Sequence, residues 1–369
     1  MKKILLGCYG VPGRGGASTV LYLLFERMQR DGLDVAYVNL IEEPDEVFCR
    51  YLFGAGFSNP RSLKNVHTCI LHEPLWRAHA ALAELIDALA PDLLLGFSFI
   101  AARLLELAAP RRPVVFMTAG SRQVQHLIET GALRDFLGFR QSVTRGVTFP
   151  VPPENHERQA AEAADLIIVH SPLVKFAFEH FFPAQAGKIY ANIISVADFI
   201  YAEAEQFAAY NRPFAQRDID LIFVASSWNR LEKNYALVQK IIARCAGLQV
   251  HIVGEVEQPR PAAHYHGAIR RREDIYALLG RSKTLLCPSL VDAAPGVLFE
   301  ASAMGCNVIA SPNCGNWQLC NAQLLAECCS SDVFVSKIPL SLASVYEDNR
   351  EHFRGGYADL VETLSVCGS

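Results

Sequence analysis

A chain of 369 residues allows two or three domains at roughly 100–200 residues each. Hydrophobic residues make up 51% and charged residues 20%, ordinary globular usage that excludes a disordered or collagen-like chain. Lys and Arg number 34 against 38 Asp and Glu, a net charge of −4, so no broad basic field exists to hold nucleic acid and any anion site must be local.

The chain opens on Lys2-Lys3 and a short apolar run, Ile4 to Val11, which leads into a Gly-rich loop without a convincing cleavage site. It reads as a first buried strand rather than as a signal peptide. After the run come Gly10, Gly13, Gly15 and Gly16, and then Val20, Leu21, Leu24, Phe25 and Met28 recur at helical spacing. A glycine loop that opens a helix is either a tight strand-to-helix turn or a cradle for a phosphate or polar ligand. The dinucleotide pattern G-x-G-x-x-G fails, because Gly13-x-Gly15 is followed by Ala17-Ser18, and no Gly-Lys-Ser/Thr supplies a Walker loop. A dehydrogenase and a P-loop enzyme are both disfavoured.

Further short apolar runs follow at Val35–Asn39, Leu93–Gly96, Val114–Met117 and Leu166–Val169. Another series lies at Leu221–Ala225, Val250–Val253, Thr284–Cys287 and Val308–Ala310. Runs of this kind, separated by helical segments, imply parallel sheets with both faces covered. The most apolar stretch, Leu93 to Ala109, is broken by Arg103 and Glu106 and is a poor membrane span. Arg122, Arg134, Arg140 and Arg145 stand among only two acidic residues, Glu129 and Asp135. They form a solvated helix face or, as the alternative, an anionic-acceptor or membrane-surface site.

The pattern changes between Lys188 and Arg217. The expected organisation is a doubly wound domain over 1–198, a hinge at 199–217, a second doubly wound domain over 218–350, and a helical tail at 351–369 that packs back on the first. Asp218-Ile219-Asp220 spells a metal-binding DxD but reads as a strand lead-in, and His264 and His266 read as turn residues before Gly267. The 11 cysteines are odd in number and form no compact framework, which fits a reduced cytoplasmic protein. Cys314, Cys320, Cys328 and Cys329 cluster without CxxC pairs or a finger-like His, so thiols are expected there rather than zinc.

The most informative segment runs from Cys287 to Ala310. Asp292 and Glu300 are two carboxylates eight positions apart, with Pro295 and Gly296 between them at a loop and helix start. Asp292 falls in the loop and Glu300 about one turn inside the helix, either as a surface pair or bordering one pocket. In a pocket, a carboxylate beside a helix N-terminus can accept hydrogen bonds from a sugar diol while the amides of Gly296 and Val297 face a diphosphate.

This segment resembles the donor-binding E-x7-E region of glycosyltransferase family four, with Asp292 in place of the first Glu and Pro295 to Ala301 similar to that family's Pro-Asn-Val-Leu-Leu-Glu-Ala. Met304-Gly305 and Val308-Ile309 continue the likeness, with Asn307 where Pro is usual. Gly13 to Thr19 is similar to the family's N-terminal glycine loop. Ala164 to Ser171 resembles its "ad-x-ii-x-x-S" strand, and Ile193 to Asp198 its "i-x-n-G-v-D" segment before the hinge. Pro113 to Gly120 resembles "P-v-v-x-t-x-H-G", with Ala119 where many members place an active-site His.

The resemblance implies a GT-B fold, two Rossmann-like doubly wound α/β domains facing an interdomain cleft. It implies a retaining glycosyltransferase that moves a sugar from a nucleoside-diphosphate donor to a hydroxyl acceptor without metal or cofactor, as in polysaccharide biosynthesis. In this reading Asp292, Arg230 and Lys233 are catalytic, the two basic residues serving the diphosphate, and Gly15, Gly16, Gly296, Val297 and Glu300 bind the donor. Thr118, Ser121 or His126 serve the acceptor side in place of the missing His. The expected partners are a nucleotide sugar and a hydroxyl acceptor, with no nucleic acid. The expected location is the cytoplasm, extending to peripheral contact with the inner face of the membrane. Ala119 motivates a second class, a GT-B scaffold or nucleotide-sugar-binding partner with weak turnover. A nucleotide-sugar epimerase of the same fold is the third.

Overall fold

A computed structural model describes residues 2–10, 16–42, 65–149, 155–192, 194–259, 262–269, 271–315, 317, 324–345 and 356–367. The chain divides into two compact units, one built from 1–123, 151–195 and 356–369, the other from 124–150 and 196–355.

The first unit is a seven-stranded sheet of β1 (Ile4–Tyr9), β2 (Val35–Ile41), β3 (Val66–Ile70), β4 (Leu93–Phe97), β5 (Val114–Thr118), β6 (Leu166–Val169) and β7 (Ile189–Ala191). The order is β3-β2-β1-β4-β5-β6-β7, and every pair is parallel. Parallel neighbours need crossovers, which are the helices α1 (Gly16–Arg30), α2 (Ala80–Leu89), α3 (Phe99–Ala108), α4 (Arg122–Glu129, of which only Arg122 and Gln123 belong to this unit), α6 (His156–Ala163) and α7 (Pro172–Phe181). Strands β1, β2, β4 and β5 are buried almost throughout, because helices cover both faces. On one side Tyr22 and Phe25 of α1 pack with Tyr37 of β2, ring centroids 5.4–5.9 Å apart. A C-terminal helix, α13 (Gly356–Val366), completes this unit: Gly356 O accepts a hydrogen bond from Asn192 Nδ2 at 2.9 Å, and Arg27 lies over the Tyr357 ring.

The second unit is a five-stranded parallel sheet, order β10-β9-β8-β11-β12, from β8 (Ile219–Ser227), β9 (Val250–Glu255), β10 (His264–Tyr265), β11 (Ser282–Cys287) and β12 (Asn307–Ala310). Its helices are α5 (Phe136–Thr144), α8 (Ile194–Gln206), α9 (Tyr235–Ile242), α10 (Arg272–Arg281), α11 (Gly296–Ala303) and α12 (Ser331–Ala343). The core gathers Phe223, Trp228, Val238, Ile241, Ile252, Leu286, Ile309 and Phe334, and the Trp228 indole N–H donates to Val253 O at 2.9 Å.

All nine strands predicted from apolar runs are present. Three were not predicted, β3, β7 and β10, and each is an edge strand. Residues 199–217, expected as a hinge, form the end of α8 and two 3₁₀ turns within the second unit. Arg217 closes this stretch: it is buried, donating through Nη1 to Ser282 O at 2.6 Å, through Nη2 to Met304 O at 2.7 Å, and through Nε to Arg212 O at 3.0 Å. The segment 124–150 also differs from expectation, since it groups with the second unit. There Phe136 N donates to Leu290 O at 3.3 Å and Leu137 N to Asn313 Oδ1 at 2.8 Å. No helix among the described residues is long and apolar enough to cross a membrane.

One contact shows how tightly helix and sheet approach. A Cβ on Gly96 in β4 would lie 2.3 Å from both the Cα and the N of Ala102 in α3, and backbone atoms cannot yield as a flexible side chain does. Gly96→Ala is therefore expected to destabilise the protein by about 1–3 kcal/mol through overpacking, read as a lowered urea midpoint. An unchanged midpoint removes this contact as a packing constraint.

Candidate functional site

In the second unit the site is built at the carboxyl ends of β8 and β11, where loops of an open α/β sheet gather ligands. Strand β8 runs into a 3₁₀ turn, Leu231–Lys233, ended by Asn234 with φ +59° in the left-handed region. Asn is among the few non-glycine residues that adopt this conformation readily. Two hydrogen bonds fasten this turn to the loop after β11. Leu290 N donates to Glu232 O at 2.8 Å, and Asn234 Nδ2 donates to Pro288 O at 3.0 Å.

Across this seam Lys233 Nζ donates to Asp292 Oδ2, with side chains only 17% and 14% exposed. Burial opposes the Lys233 charge, but the Asp292 carboxylate and their hydrogen bond outweigh it and hold the ammonium pKa above its usual value. Asp292 is fixed through its backbone as well: its N donates to Asn313 O at 3.1 Å, and its O accepts from Gly315 N at 2.7 Å. Arg230 is near enough for its charge to act on Lys233, but its own guanidinium pairs with Glu232, Nε to Oε1 at 2.7 Å, and is half exposed.

Helix α11 starts at Gly296 with Pro295 as N-cap and no side-chain capping bond, so Gly296 and Val297 occupy its first turn. Glu300 sits one turn further in and is 9% exposed. Its Oε1 accepts from Arg272 Nη2 at 2.9 Å. Arg272, at the start of α10, also pairs with Glu203 of α8 and donates to Tyr276 Oη at 3.2 Å. Burial works against the Arg272 charge, but the Glu300 and Glu203 carboxylates more than reverse this, and the guanidinium is held firmly protonated. The two carboxylates of the sequence pattern are thus held separately, Asp292 by a lysine and Glu300 by an arginine that the sequence reading missed. Position alone offered no signal for Arg272, since its partners lie 28 and 69 residues away.

Beneath this loop Cys287 Sγ and Cys314 Sγ are 3.5 Å apart and buried, and all described cysteines are free thiols. Cys320 lies outside the described residues. The DxD carboxylates are occupied by cations of the chain itself. Asp218 pairs with Arg281 at 2.5 Å and with Arg212 at 3.1 Å, which holds its carboxyl down to about 2, and Asp220 pairs with Lys283 at 2.8 Å. His264 and His266 meet His251 of β9, whose Nδ1 is 2.9 Å from His266 Nε2. No group of three or more His, Cys, Asp or Glu side chains among the described residues is arranged to hold a metal. Arg122, Arg134, Arg140 and Arg145 are all exposed.

Of the expected acceptor residues, Thr118 and Ser121 lie in the first unit and are engaged internally, while His126 falls in the second unit. Thr118 Oγ1 donates to Gly120 O at 2.8 Å and accepts from Gly120 N at 3.2 Å. Ser121 Oγ donates to Glu157 Oε2 at 3.3 Å. His126 is half-buried within α4. Gly15 lies outside the described residues, and Gly16 opens α1.

Glu157 was not singled out from the sequence. Its buried carboxylate also accepts from Arg122 N at 2.9 Å and Gln123 N at 3.2 Å, and so caps the start of α4. Burial pushes its pKa up to about 7 against the pull of those donors.

With this geometry in view, the second unit can be placed. Residues 218–339 match the family model of glycosyl transferases group 1. HepE from Anabaena, solved with UDP and glucose, superposes with a TM-score of 0.65 at 15% identity, covering 99% of this chain and 100% of that one. Sucrose-phosphate synthase from Thermosynechococcus elongatus gives 0.62 at 15% identity, over 99% and 95%. UDP-GlcNAc 2-epimerase from Methanocaldococcus jannaschii gives 0.58 at 10%, over 98% and 99%. No curated protein sequence matches the chain. At these identities the likeness fixes the architecture. The fold is GT-B.

Glu157 supplies a pH test. Its folded pKa, about 7, stands above its ordinary 4.5, so its contribution to stability is complete below about pH 4.5 and is lost as pH rises through 7. The stability of the wild type relative to Glu157→Gln is expected to fall with pH across that window, by up to about 1.4 kcal/mol per pH unit. A difference in Tm that stays constant from pH 4.5 to 7.5 contradicts the assignment.

Proposed function

We propose that the chain is a retaining, metal-independent glycosyltransferase that moves a sugar from a nucleoside diphosphate to a hydroxyl acceptor. The observation that carries the reading is the Lys233–Asp292 pair, held at the carboxyl edge of the second sheet on the loop that leads into α11. The family match over 218–339 supports transfer chemistry, and HepE, a GT-B protein solved with UDP-glucose, supports a nucleotide-sugar donor.

In this reading the diphosphate meets Lys233 and the amides at the start of α11. An ammonium has three N–H donors, so Lys233 can keep its bond to Asp292 and still offer two to phosphate oxygens. Arg230 is half exposed in its pair with Glu232, so its guanidinium is open to a phosphate as a further partner. As the bond from the sugar's anomeric carbon to the diphosphate breaks, its electron pair passes to the phosphate oxygen. That oxygen takes the acceptor's hydroxyl proton on the same face, and the acceptor oxygen bonds the anomeric carbon. Preorganised cations stabilise the departing charge without reorganisation. Asp292 orients Lys233 and lies where it can accept from a sugar hydroxyl. Glu300, its Oε1 fixed by Arg272, accepts from the ribose diol. The DxD pair is left out, since Asp218 and Asp220 are matched to Arg281, Arg212 and Lys283. Ala119 favours a second reading, a nucleotide-sugar-binding partner without turnover.

Release of nucleoside diphosphate from a donor panel, measured with EDTA present, separates these readings. Release is expected from at least one donor, whereas binding without release favours the partner protein. Lys233→Ala is expected to lower turnover at saturating donor about a hundredfold or more, and a folded variant with wild-type turnover removes Lys233 from the diphosphate site. Glu300→Gln is expected to weaken nucleotide affinity roughly tenfold or more through loss of a charge-assisted hydrogen bond; calorimetry showing equal affinity would exclude a ribose contact.

A further inference from the structure

Among the described residues that directly follow the strands of the first sheet, one buried polar side chain has a ring nitrogen without a hydrogen-bond partner. The residues directly following that sheet's seven strands are Gly10, Glu42, Leu71, Ser98, Ala119, His170 and Asn192. Three of the four polar ones are spoken for. Glu42 accepts from Tyr9 Oη, Ser98 Oγ accepts from Ala101 N at 3.4 Å to cap α3, and Asn192 Nδ2 donates to Gly356 O at 2.9 Å. The fourth, His170, is 2% exposed, and its Nε2 has no hydrogen-bond partner.

Local structure fixes where this imidazole sits. His170 N donates to Thr118 O at 3.1 Å, which continues the β5–β6 ladder one step past Thr118 and Val169. His170 is therefore the neighbour of Ala119 and Gly120 across the ladder. Those two residues bring no polar side-chain atom, and both are half-exposed. The Phe97 ring packs on the imidazole edge to face, centroids 5.4 Å apart, and Ser171 Oγ accepts from Val174 N at 3.3 Å to start α7. The ring is thus packed against Phe97, and the backbone that carries it leads into a capped helix. Burial pulls its pKa down to about 4, so it is neutral at physiological pH. A neutral imidazole suits a hydroxyl, not a phosphate. A buried polar atom without a partner is unfavourable, and ligand-binding sites are where such atoms are tolerated.

We propose that His170 binds the acceptor, its imidazole forming a hydrogen bond with a hydroxyl of an incoming sugar at the carboxyl edge of the first sheet. The inference rests on the glycosyltransferase reading for the identity of the ligand. The residue is set apart from Thr118 and Ser121, whose hydroxyls are committed to Gly120 and Glu157.

The test uses full-length protein, the donor that gives diphosphate release, and methyl glycosides of glucose, galactose and mannose as acceptor probes. His170→Phe keeps a planar ring against Phe97 and removes both nitrogens, while His170→Asn keeps a donor and an acceptor. The expected result is an acceptor KM raised about tenfold or more in His170→Phe, with donor KM unchanged, and partial recovery in His170→Asn. In parallel, the His170 Cε1–H signal of the wild type is followed by NMR as each glycoside is added without donor, and a saturable shift is expected. Wild-type transfer with an unaltered acceptor KM in a folded His170→Phe overturns the inference and leaves the glycosyltransferase reading standing. Absence of transfer with every donor defeats that reading instead; the NMR titration then decides His170 alone, and a signal unmoved by all three glycosides overturns its role.

Discussion

The buried pair between Lys233 and Asp292 is the constraint on which the second unit's carboxyl edge depends. Two partly buried charges of opposite sign have each lost water, so each requires the other, and removing one leaves the other uncompensated. The pair therefore joins the turn after β8 to the loop after β11, and the backbone bonds Leu290 to Glu232 and Asn234 to Pro288 follow the same seam. Because Asp292 is also bridged to Asn313 and Gly315, a third loop is drawn in. The arrangement has a chemical cost. In the proposed function, a lysine already matched by a carboxylate is a weaker magnet for a diphosphate than a bare one, and the half-exposed Arg230 and the start of α11 are the further sources of positive potential.

Arg272 plays the corresponding part for Glu300. One guanidinium serves carboxylates from two other helices, α8 and α11, and the Tyr276 hydroxyl joins the same group. A fork of fixed geometry suits this, since its donors hold each carboxylate in one orientation. Glu300 and Asp292 are close in sequence and similar in chemistry, yet each is oriented from a different side of the unit.

How far the sequence carried the reading follows from where water is excluded. The nine strands read from apolar runs are covered on both faces, and continuous burial writes a continuous apolar run. Strands β3, β7 and β10 lie at sheet edges, are short, and include exposed or half-exposed positions such as Val66, Ile70, Tyr190 and His264, so no such run marks them. The loop carrying Asp292 and the helix carrying Glu300 were legible because Pro295 and Gly296 punctuate the boundary. Their partners were less so. The separation of 59 positions from Lys233 to Asp292 says nothing of contact, and Lys233 was read as a diphosphate ligand without its counterion. Arg272, Glu157 and His170 were passed over for a related reason: a charged helix residue or a histidine after a strand is usually unremarked surface, and only the fold reveals that these are enclosed. Residues 199–217 were read as a hinge because a polar, Tyr- and Ala-containing stretch resembles a linker, whereas Arg217 binds its far end to the rest of the second unit through two carbonyls, Ser282 O and Met304 O.

The threading of the chain sets an order for its birth on the ribosome. Helix α13, which belongs to the first unit, is synthesised after the whole of the second unit. Until it emerges, Asn192 Nδ2 lacks its bond to Gly356 and Arg27 lacks the Tyr357 ring. Domains generally fold as units in the order they are made, but here the first unit is completed only after the second has been made, so its sheet waits with one patch uncovered while the second unit assembles.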